Sequence, residues 1–318
     1  MATIHVDRPP FGINRCPLES TCVKGNFPED LSTGVHADWT ACAFVSVSQL
    51  AAVTEVQNAA EISGYEHSFT MGPAEHYMSR MNYFNQIHCP HAENFARHAE
   101  KDRFLPLTKI DDSANDTATK LRATVTSNLS FTKSAQEMMD YAFGEVIDNV
   151  LTHSKTKAPG LVCSQYYANM SYVEVCVADS GIGIPQTMSQ NPRYRGTSDA
   201  NLLAKAFERD TGEYFGRTDF GSNEVSGGMG LFVTARVARA LGGYVWAVSH
   251  GSAIEISESG TRTLTGYYYP GTVMCMRFPL SDKDVTRDEV LCDGSRDILR
   301  WSETDGFYTE EEDGPILW

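Results

Sequence analysis

The sequence predicts an α/β protein in two parts, an α+β sandwich in the C-terminal half preceded by a smaller α/β unit. The first observation is an alternation of strand-like and helix-like segments between residues 39 and 87, which is typical of a parallel α/β unit. The second is a hairpin pattern at residues 160–178 that lies between amphipathic helical segments. The third is a composition of 42% hydrophobic and 21% charged residues in 318, which is that of a globular chain.

Charge and hydropathy exclude several classes of protein. The formal net charge of −15 argues against a nucleic-acid-coating surface and against an anionic membrane as the default partner. No apolar run reaches about 18 residues, the length that suggests a membrane span. The first ten residues also lack the apolar core of a signal peptide. We therefore expect a soluble cytoplasmic protein without a membrane partner.

The eight cysteines are scattered without a Cys-x-x-Cys pair. Buried free thiols are the expected state of such residues. Residues His88, Cys89, His91 and His98 lie close together in the chain, but their spacing matches no common zinc pattern. We therefore expect no zinc site there.

The N-terminal half begins with residues 1–35, which are rich in proline, glycine and polar residues. We predict an irregular arm there, which could bind a partner or exchange in a dimer. Strand and helix patterns then alternate. The predicted elements are a buried strand at 39–46, a helix at 47–62 closed by Gly64, a strand at 67–70 and a helix from Pro73 to about Ile87.

Three short patches carry the chemistry of the C-terminal half. The first lies in a predicted helix whose apolar face includes Met138, Met139, Ala142, Val146 and Val150. In that helix three polar residues lie at i, i+3 and i+4 and share one face, where they can hold a hydrated cation. They are Glu145, Asp148 and Asn149.

The second patch ends a predicted strand at 172–178 with Asp179 and the glycines Gly181 and Gly183. The third is a glycine-rich segment, 226–231, that opens a predicted helix. Free backbone N–H groups and the positive end of the helix dipole form a seat for phosphate at such a point. Taken singly, the second and third patches are more often only tight turns.

Together and in this order, the patches resemble the nucleotide-binding domain of the GHKL superfamily, which has the Bergerat fold. That superfamily includes gyrase-type topoisomerases, a heat-shock chaperone, histidine kinases and mismatch-repair ATPases. The resemblance covers roughly residues 130–280 and implies the cofactors ATP and Mg²⁺.

The resemblance implies a role for each matched residue. Asn149 would bind Mg²⁺ and bridge it to the nucleotide phosphates, since Mg²⁺ prefers hard oxygen ligands. Glu145 would be the catalytic general base for water or an acceptor hydroxyl. Asp179 would accept a hydrogen bond from the adenine amino group. Thr272, in a late Gly-Thr strand, would support that acid and its water.

The resemblance also assigns the glycines and a flap. Gly181 and Gly183 would let the backbone approach the base. A flap at 186–226 would cover the nucleotide, with Lys205, Arg209 and Arg217 as candidate cations. His153 matches a position where several members carry histidine, or it is simply a helix-end residue. The phosphate-binding segment would comprise Gly227, Gly228, Met229, Gly230 and Leu231.

The N-terminal unit is similar to the STAS fold of anti-anti-sigma factors in its strand-helix start and its final helix. The usual phosphoacceptor turn is absent at residues 46–51, so the similarity supports a fold and not phosphorylation. Phe104–Thr108 could add an edge strand, because Pro106 removes one donor. The predicted organisation is an arm at 1–35, a STAS-like domain and connector at 36–112, an ATP-binding domain at 113–285 and an acidic tail at 286–318.

The resemblance implies an enzyme, a module that hydrolyses Mg-ATP to switch its own dimer or a partner protein. An anti-sigma-type serine/threonine protein kinase and a catalytically silent nucleotide-holding scaffold stay open as alternatives. Residues 113–136 contain no histidine, which argues against a self-phosphorylating histidine kinase. Direct binding of nucleic acid is not expected by default.

Overall fold

A computed structural model describes residues 1–93, 95, 103–110, 114–127, 132–155, 158–208, 230–280, 285, 290, 299–302 and 306–309. The strands are β1 Ala2–His5, β2 Val35–Asp38, β3 His67–Thr70, β4 Phe104–Lys109, β5 Leu161–Tyr167, β6 Tyr172–Asp179, β7 Tyr244–His250, β8 Ser252–Ser257, β9 Gly260–Leu264, β10 Tyr269–Pro279, β11 Leu299–Ser302 and β12 Gly306–Thr309. The helices are α1 Val47–Ile62, α2 Glu75–Arg80, α3 Tyr83–Gln86, α4 Ala114–Thr126, α5 Lys133–His153, α6 Ile184–Ser189, α7 Asp199–Lys205 and α8 Gly230–Ala240.

A seven-stranded sheet of order β4-β5-β6-β10-β7-β8-β9 forms the centre of the described structure, and each neighbouring pair in it is antiparallel. Every residue of β6 is buried. Its alternate side chains face opposite ways, as in any strand. Val173, Val175 and Val177 join a core formed with α4, α5 and α8, whereas Cys176 and Ala178 join a second core formed with α1. Both faces of the sheet are therefore covered.

The second face is covered by an N-terminal layer that consists of β1–β3 and α1–α3. Its three strands form a parallel sheet of order β1-β2-β3, and α1 connects β2 to β3. Ser46 caps α1, because its hydroxyl accepts the Gln49 N–H at 3.1 Å while the Gln49 side chain accepts the Ser46 N–H at 3.2 Å. From Val47 to Ala60 the helix is buried, because it packs between the small sheet and the central one.

Three predictions for this layer need correction. The apolar run 39–46 is not a strand, because Trp39 closes a turn with the Cys42 N–H and is buried through its packing against Tyr83. The strand lies one segment earlier, at β2. The helix predicted from Pro73 to Ile87 is divided into α2 and α3 at Asn82, whose φ of 64° interrupts helical geometry. The arm at 1–35 contains β1, which pairs with β2, and so is not irregular throughout.

A buried ion pair fastens the arm and α1 to the central sheet. Arg277 and Glu174 lie directly opposite each other on β10 and β6, with Arg277 Nη2 at 2.7 Å from Glu174 Oε2. The same guanidinium donates to the carbonyls of Gly12 and Arg15 at 2.5 and 2.6 Å. Glu174 Oε1 accepts from the Ser48 N–H and hydroxyl, near the start of α1. Two backbone carbonyls of the arm are therefore hydrogen bonded to a charged side chain that is buried in the protein.

The rest of the fold follows the predicted pattern more closely. The predicted edge strand is β4, the predicted hairpin is β5–β6, and the last predicted strand is β10. Strands β9, β11 and β12 were not predicted. The STAS-like fold of the N-terminal layer and the predicted domain boundaries stay predictions.

Two further properties concern the described residues alone. Among them, no helix is long and apolar enough to cross a membrane. The seven described cysteines are free thiols, and all except Cys89 are buried. The eighth, Cys292, lies outside the described residues.

Candidate functional site

Helix α5 carries the first patch between its buried and its exposed positions. Thr132 caps the helix through a 3.3 Å hydrogen bond from the Ala135 N–H. Glu145 and Asn149, one turn apart, are half-buried, whereas Asp148 is exposed. The Asn149 side chain has no hydrogen-bond partner among the residues that the structure describes. Its amide oxygen is therefore open to a ligand.

Glu145 lies in a confined environment at the start of α8. Its carboxylate lies against Gly230, where the Cβ of any other residue would overlap it. Burial raises the pKa of Glu145, a hydrogen bond from the Tyr141 hydroxyl opposes that rise, and the charge of Asp148 adds to it. The Thr234 hydroxyl lies 3.3 Å from the Ala142 carbonyl, so α8 is also hydrogen bonded to α5. The first and third patches are thus in direct contact.

Asp179 ends β6 and lies directly opposite Thr272 of β10. Its Oδ1 accepts the Gly181 N–H at 2.8 Å, and it also accepts a backbone hydrogen bond from Thr272. Burial raises the pKa of this carboxyl to about 7, against the lowering effect of those two hydrogen bonds. Asp179 therefore changes its protonation state near neutral pH.

Ser249 is a site residue that the sequence did not reveal. Its hydroxyl lies 3.1 Å from the Thr272 hydroxyl, donates to the Gly271 carbonyl at 3.0 Å and accepts the Ile184 N–H at 3.0 Å. It is the partner of Thr272 across the β7–β10 ladder. Only that strand register, which no local pattern indicates, could have identified it.

The turn at residues 180–183 connects the second patch to the end of α5. The Ile182 N–H donates to the Ser154 carbonyl at 2.8 Å, and a Cβ at Gly181 would collide with that carbonyl. Gly183 has a φ of 80°, and a Cβ there would lie 2.7 Å from the Ser249 hydroxyl. Both glycines are thus required by the shape of the site.

Not every predicted site residue can be placed. Gly227, Gly228 and Met229 lie outside the described residues, as do the flap cations Arg209 and Arg217. Leu231, in the first turn of α8, is partly buried and packs against the core. Lys205 pairs with Glu208 at 3.5 Å, and His153 is half-buried in the last turn of α5.

Two groups of contacts are thus formed: Glu145 lies against Gly230, and Asp179 lies beside Gly181 and Thr272. Residues 135–282 match the family model described as histidine kinase-, DNA gyrase B-, and HSP90-like ATPase. A comparison with curated proteins found no match. This part of the chain therefore belongs to the GHKL ATPase and kinase superfamily.

The family match confirms the predicted α/β fold of the Bergerat type and identifies an ATP-binding module. Its members are ATPases or kinases, so an ATP-using enzyme is consistent with this fold.

Proposed function

We propose that this module binds and hydrolyses Mg-ATP, and that the nucleotide state switches its own dimer or a partner protein. The observation that carries the proposal is the position of Glu145. This carboxylate is confined between α5 and the start of α8, one helical turn from Asn149. A module that only sensed nucleotide would have no need of a carboxylate at that point.

Adenine recognition is assigned to Asp179. Its Oδ1 is occupied by the Gly181 N–H, which fixes the plane of the carboxyl group. The second oxygen can then accept a hydrogen bond from an amino group. Thr272 and Ser249 support this acid from the neighbouring strands and could hold a water beside it. An adenine base has the amino group that this acceptor requires.

The start of α8 is assigned to the phosphates. Its first N–H groups have no acceptors within the helix, and the positive end of its dipole favours negative charge. The Asn149 side chain fits Mg²⁺, because its half-buried amide offers a hard oxygen atom. When bound, Mg²⁺ would neutralise phosphate charge. Asn149 would bind it and so orient the phosphates.

Glu145 is assigned as the general base. The raised pKa of this half-buried carboxyl makes it a better proton acceptor than an exposed glutamate. As water attacks the γ-phosphorus, Glu145 would take its proton while the bond to the ADP oxygen breaks. The Tyr141 hydroxyl holds the carboxylate in place during that step. A serine hydroxyl of a partner protein could take the place of water in the same geometry, which would make the enzyme a kinase.

ATP labelled at the γ-phosphate tests the proposal with the full chain. We expect label in free phosphate, and a loss of about 100-fold or more in the rate for Glu145→Gln, the scale of general-base catalysis. ATP binding should be kept in this variant. Glu137→Gln, on an exposed position of the same helix, is the matched control and should hydrolyse normally.

Other outcomes are distinct. Equal rates for the wild type and Glu145→Gln would remove Glu145 as the base. Label retained on a protein side chain would identify a kinase. Tight retention of ATP without turnover would identify a silent scaffold.

A further inference from the structure

A carboxyl group of the N-terminal layer reaches the nucleotide site. Glu55 lies on α1, is 0% exposed, and accepts a 2.8 Å hydrogen bond from the Ser180 hydroxyl through its Oε1 atom. Ser180 lies between Asp179 and Gly181. The hydrogen bond between those two residues fixes the carboxyl group of Asp179, to which adenine recognition is assigned. A residue outside the matched segment 135–282 therefore contacts the turn that follows Asp179.

The environment of Glu55 is costly for a carboxyl group. Its Oε2 atom is buried without a hydrogen-bond partner among the described residues. Burial raises its pKa well above the ordinary value, and the nearby charge of Asp179 acts in the same direction. The Tyr269 hydroxyl, which lies in the same region, donates to the Ala52 carbonyl instead. An apolar side chain would avoid this cost, so stability does not account for Glu55.

Contacts with residues distant in sequence hold the turn at residues 180–183 in place. Ser180 donates to Glu55, the Ile182 N–H donates to the Ser154 carbonyl, and the Ile182 carbonyl lies 2.8 Å from His250 Nε2. The second and third come from the ATP-binding module itself. The first comes from the layer on the opposite face of the sheet.

We propose that Glu55 is a positioning residue for adenine recognition, which couples docking of the N-terminal layer to nucleotide affinity. The inference rests on the proposed function, because it takes Asp179 as the acceptor for the adenine amino group. By holding Ser180, Glu55 keeps the Gly181 N–H on Asp179 and so leaves the second carboxyl oxygen directed at the base. A protein that displaced α1 would weaken nucleotide binding, and nucleotide would in turn strengthen docking of α1, because such coupling is reciprocal.

The test is calorimetric titration of the full chain with ATP and with purine riboside triphosphate, which lacks the amino group. We expect Ser180→Ala and Glu55→Leu to lower ATP affinity by about fivefold, the scale of one hydrogen bond, and to leave the affinity for the analogue unchanged. Glu55→Gln should bind ATP nearly as well as the wild type, because its amide oxygen still accepts from Ser180. Thr54→Val is the matched control on α1, since among the described residues the Thr54 hydroxyl donates only to the Leu50 carbonyl of the same helix.

Each outcome decides one point. If Ser180→Ala and Glu55→Leu bind ATP as tightly as the wild type, the coupling is wrong while the proposed function stands. If they weaken both nucleotides equally, the effect is a general loss of structure and the positioning role is also wrong. If the wild type binds no ATP, both proposals fail together. Should Glu55→Leu not fold, Ser180→Ala decides alone, because Ser180 is only half-buried in a turn.

Discussion

The Glu145 carboxylate lies against the backbone of Gly230, in the space that a Cβ at position 230 would occupy. The residues are far apart in the chain, yet this contact joins the helix that bears the candidate base to the helix whose start is assigned to the phosphates. The neighbouring carboxylate therefore explains why position 230 is a glycine, whether or not a ligand also approaches its backbone.

This contact predicts that Gly230→Ala reduces ATP hydrolysis by about 100-fold, because a small misplacement of a catalytic group has effects of that size. Gly144→Ala is the matched control, since a Cβ there meets nothing within 4 Å. We expect it to keep full activity and to raise the free energy of unfolding by up to about 1 kcal/mol, the helix preference of alanine over glycine. Steady-state hydrolysis and urea unfolding measure the two effects. Full hydrolysis by Gly230→Ala would contradict the placement of Glu145.

The raised pKa of Asp179, about 7, predicts that ATP binding depends on pH. A donor such as the adenine amino group favours the ionised carboxyl and so lowers that pKa on binding. ATP should therefore bind more tightly as pH rises from 6 to 8, by up to about tenfold for each unit by which the pKa falls. Calorimetry in buffers of different ionisation enthalpy would count the released protons. Asp179→Asn removes the titration of this carboxyl, so a pH dependence equal to that of the wild type would contradict the assignment.

Asp179 also predicts a pH dependence of stability without nucleotide. Between its ordinary pKa of 3.8 and about 7, the folded protein keeps a proton on Asp179 that the unfolded chain loses. The free energy of unfolding contributed by this group therefore falls as pH rises through that window. Urea unfolding should show a smaller fall for Asp179→Asn than for the wild type. Parallel curves would indicate that Asp179 is not buried as described.

The buried pair of Arg277 and Glu174, 1% and 0% exposed, predicts a large loss of stability for Arg277→Met. The change leaves Glu174 as an uncompensated buried charge and frees the arm carbonyls of Gly12 and Arg15, so we expect a loss of about 3 to 5 kcal/mol. Arg262→Met is the matched control, because Arg262 is 68% exposed where it pairs with Glu255, so its loss should cost about 1 kcal/mol or less. Urea unfolding measures both. Similar losses for the two variants would contradict the account of the buried pair.

The sequence predicted correctly those features that depend on residues close together in the chain. Helix α1 has the predicted bounds, 47–62, because its apolar pattern is long and Gly64 follows it at a φ of 79°. The patches around Glu145 and Asp179 were recognisable because each has its polar residues within a few positions of the chain. Such features depend on neighbours in sequence.

What the sequence could not predict depends on partners far away in the chain. The run 39–46 has the apolar residues of a strand, but its burial comes from packing a turn on Tyr83. Ser249 enters the site only through the strand register with Thr272. Glu55 reaches the site only because α1 covers the second face of the sheet. The spacing of apolar residues predicts that a helix is buried, but it does not identify the element against which the helix packs.

Adenine recognition by Asp179 is the central claim, and calorimetric titration of the wild type and Asp179→Asn with Mg-ATP tests it most directly. We expect saturable binding by the wild type and a large loss of affinity in Asp179→Asn, with both proteins folded. Absence of binding to the wild type, or equal affinity of the two proteins, would contradict the account.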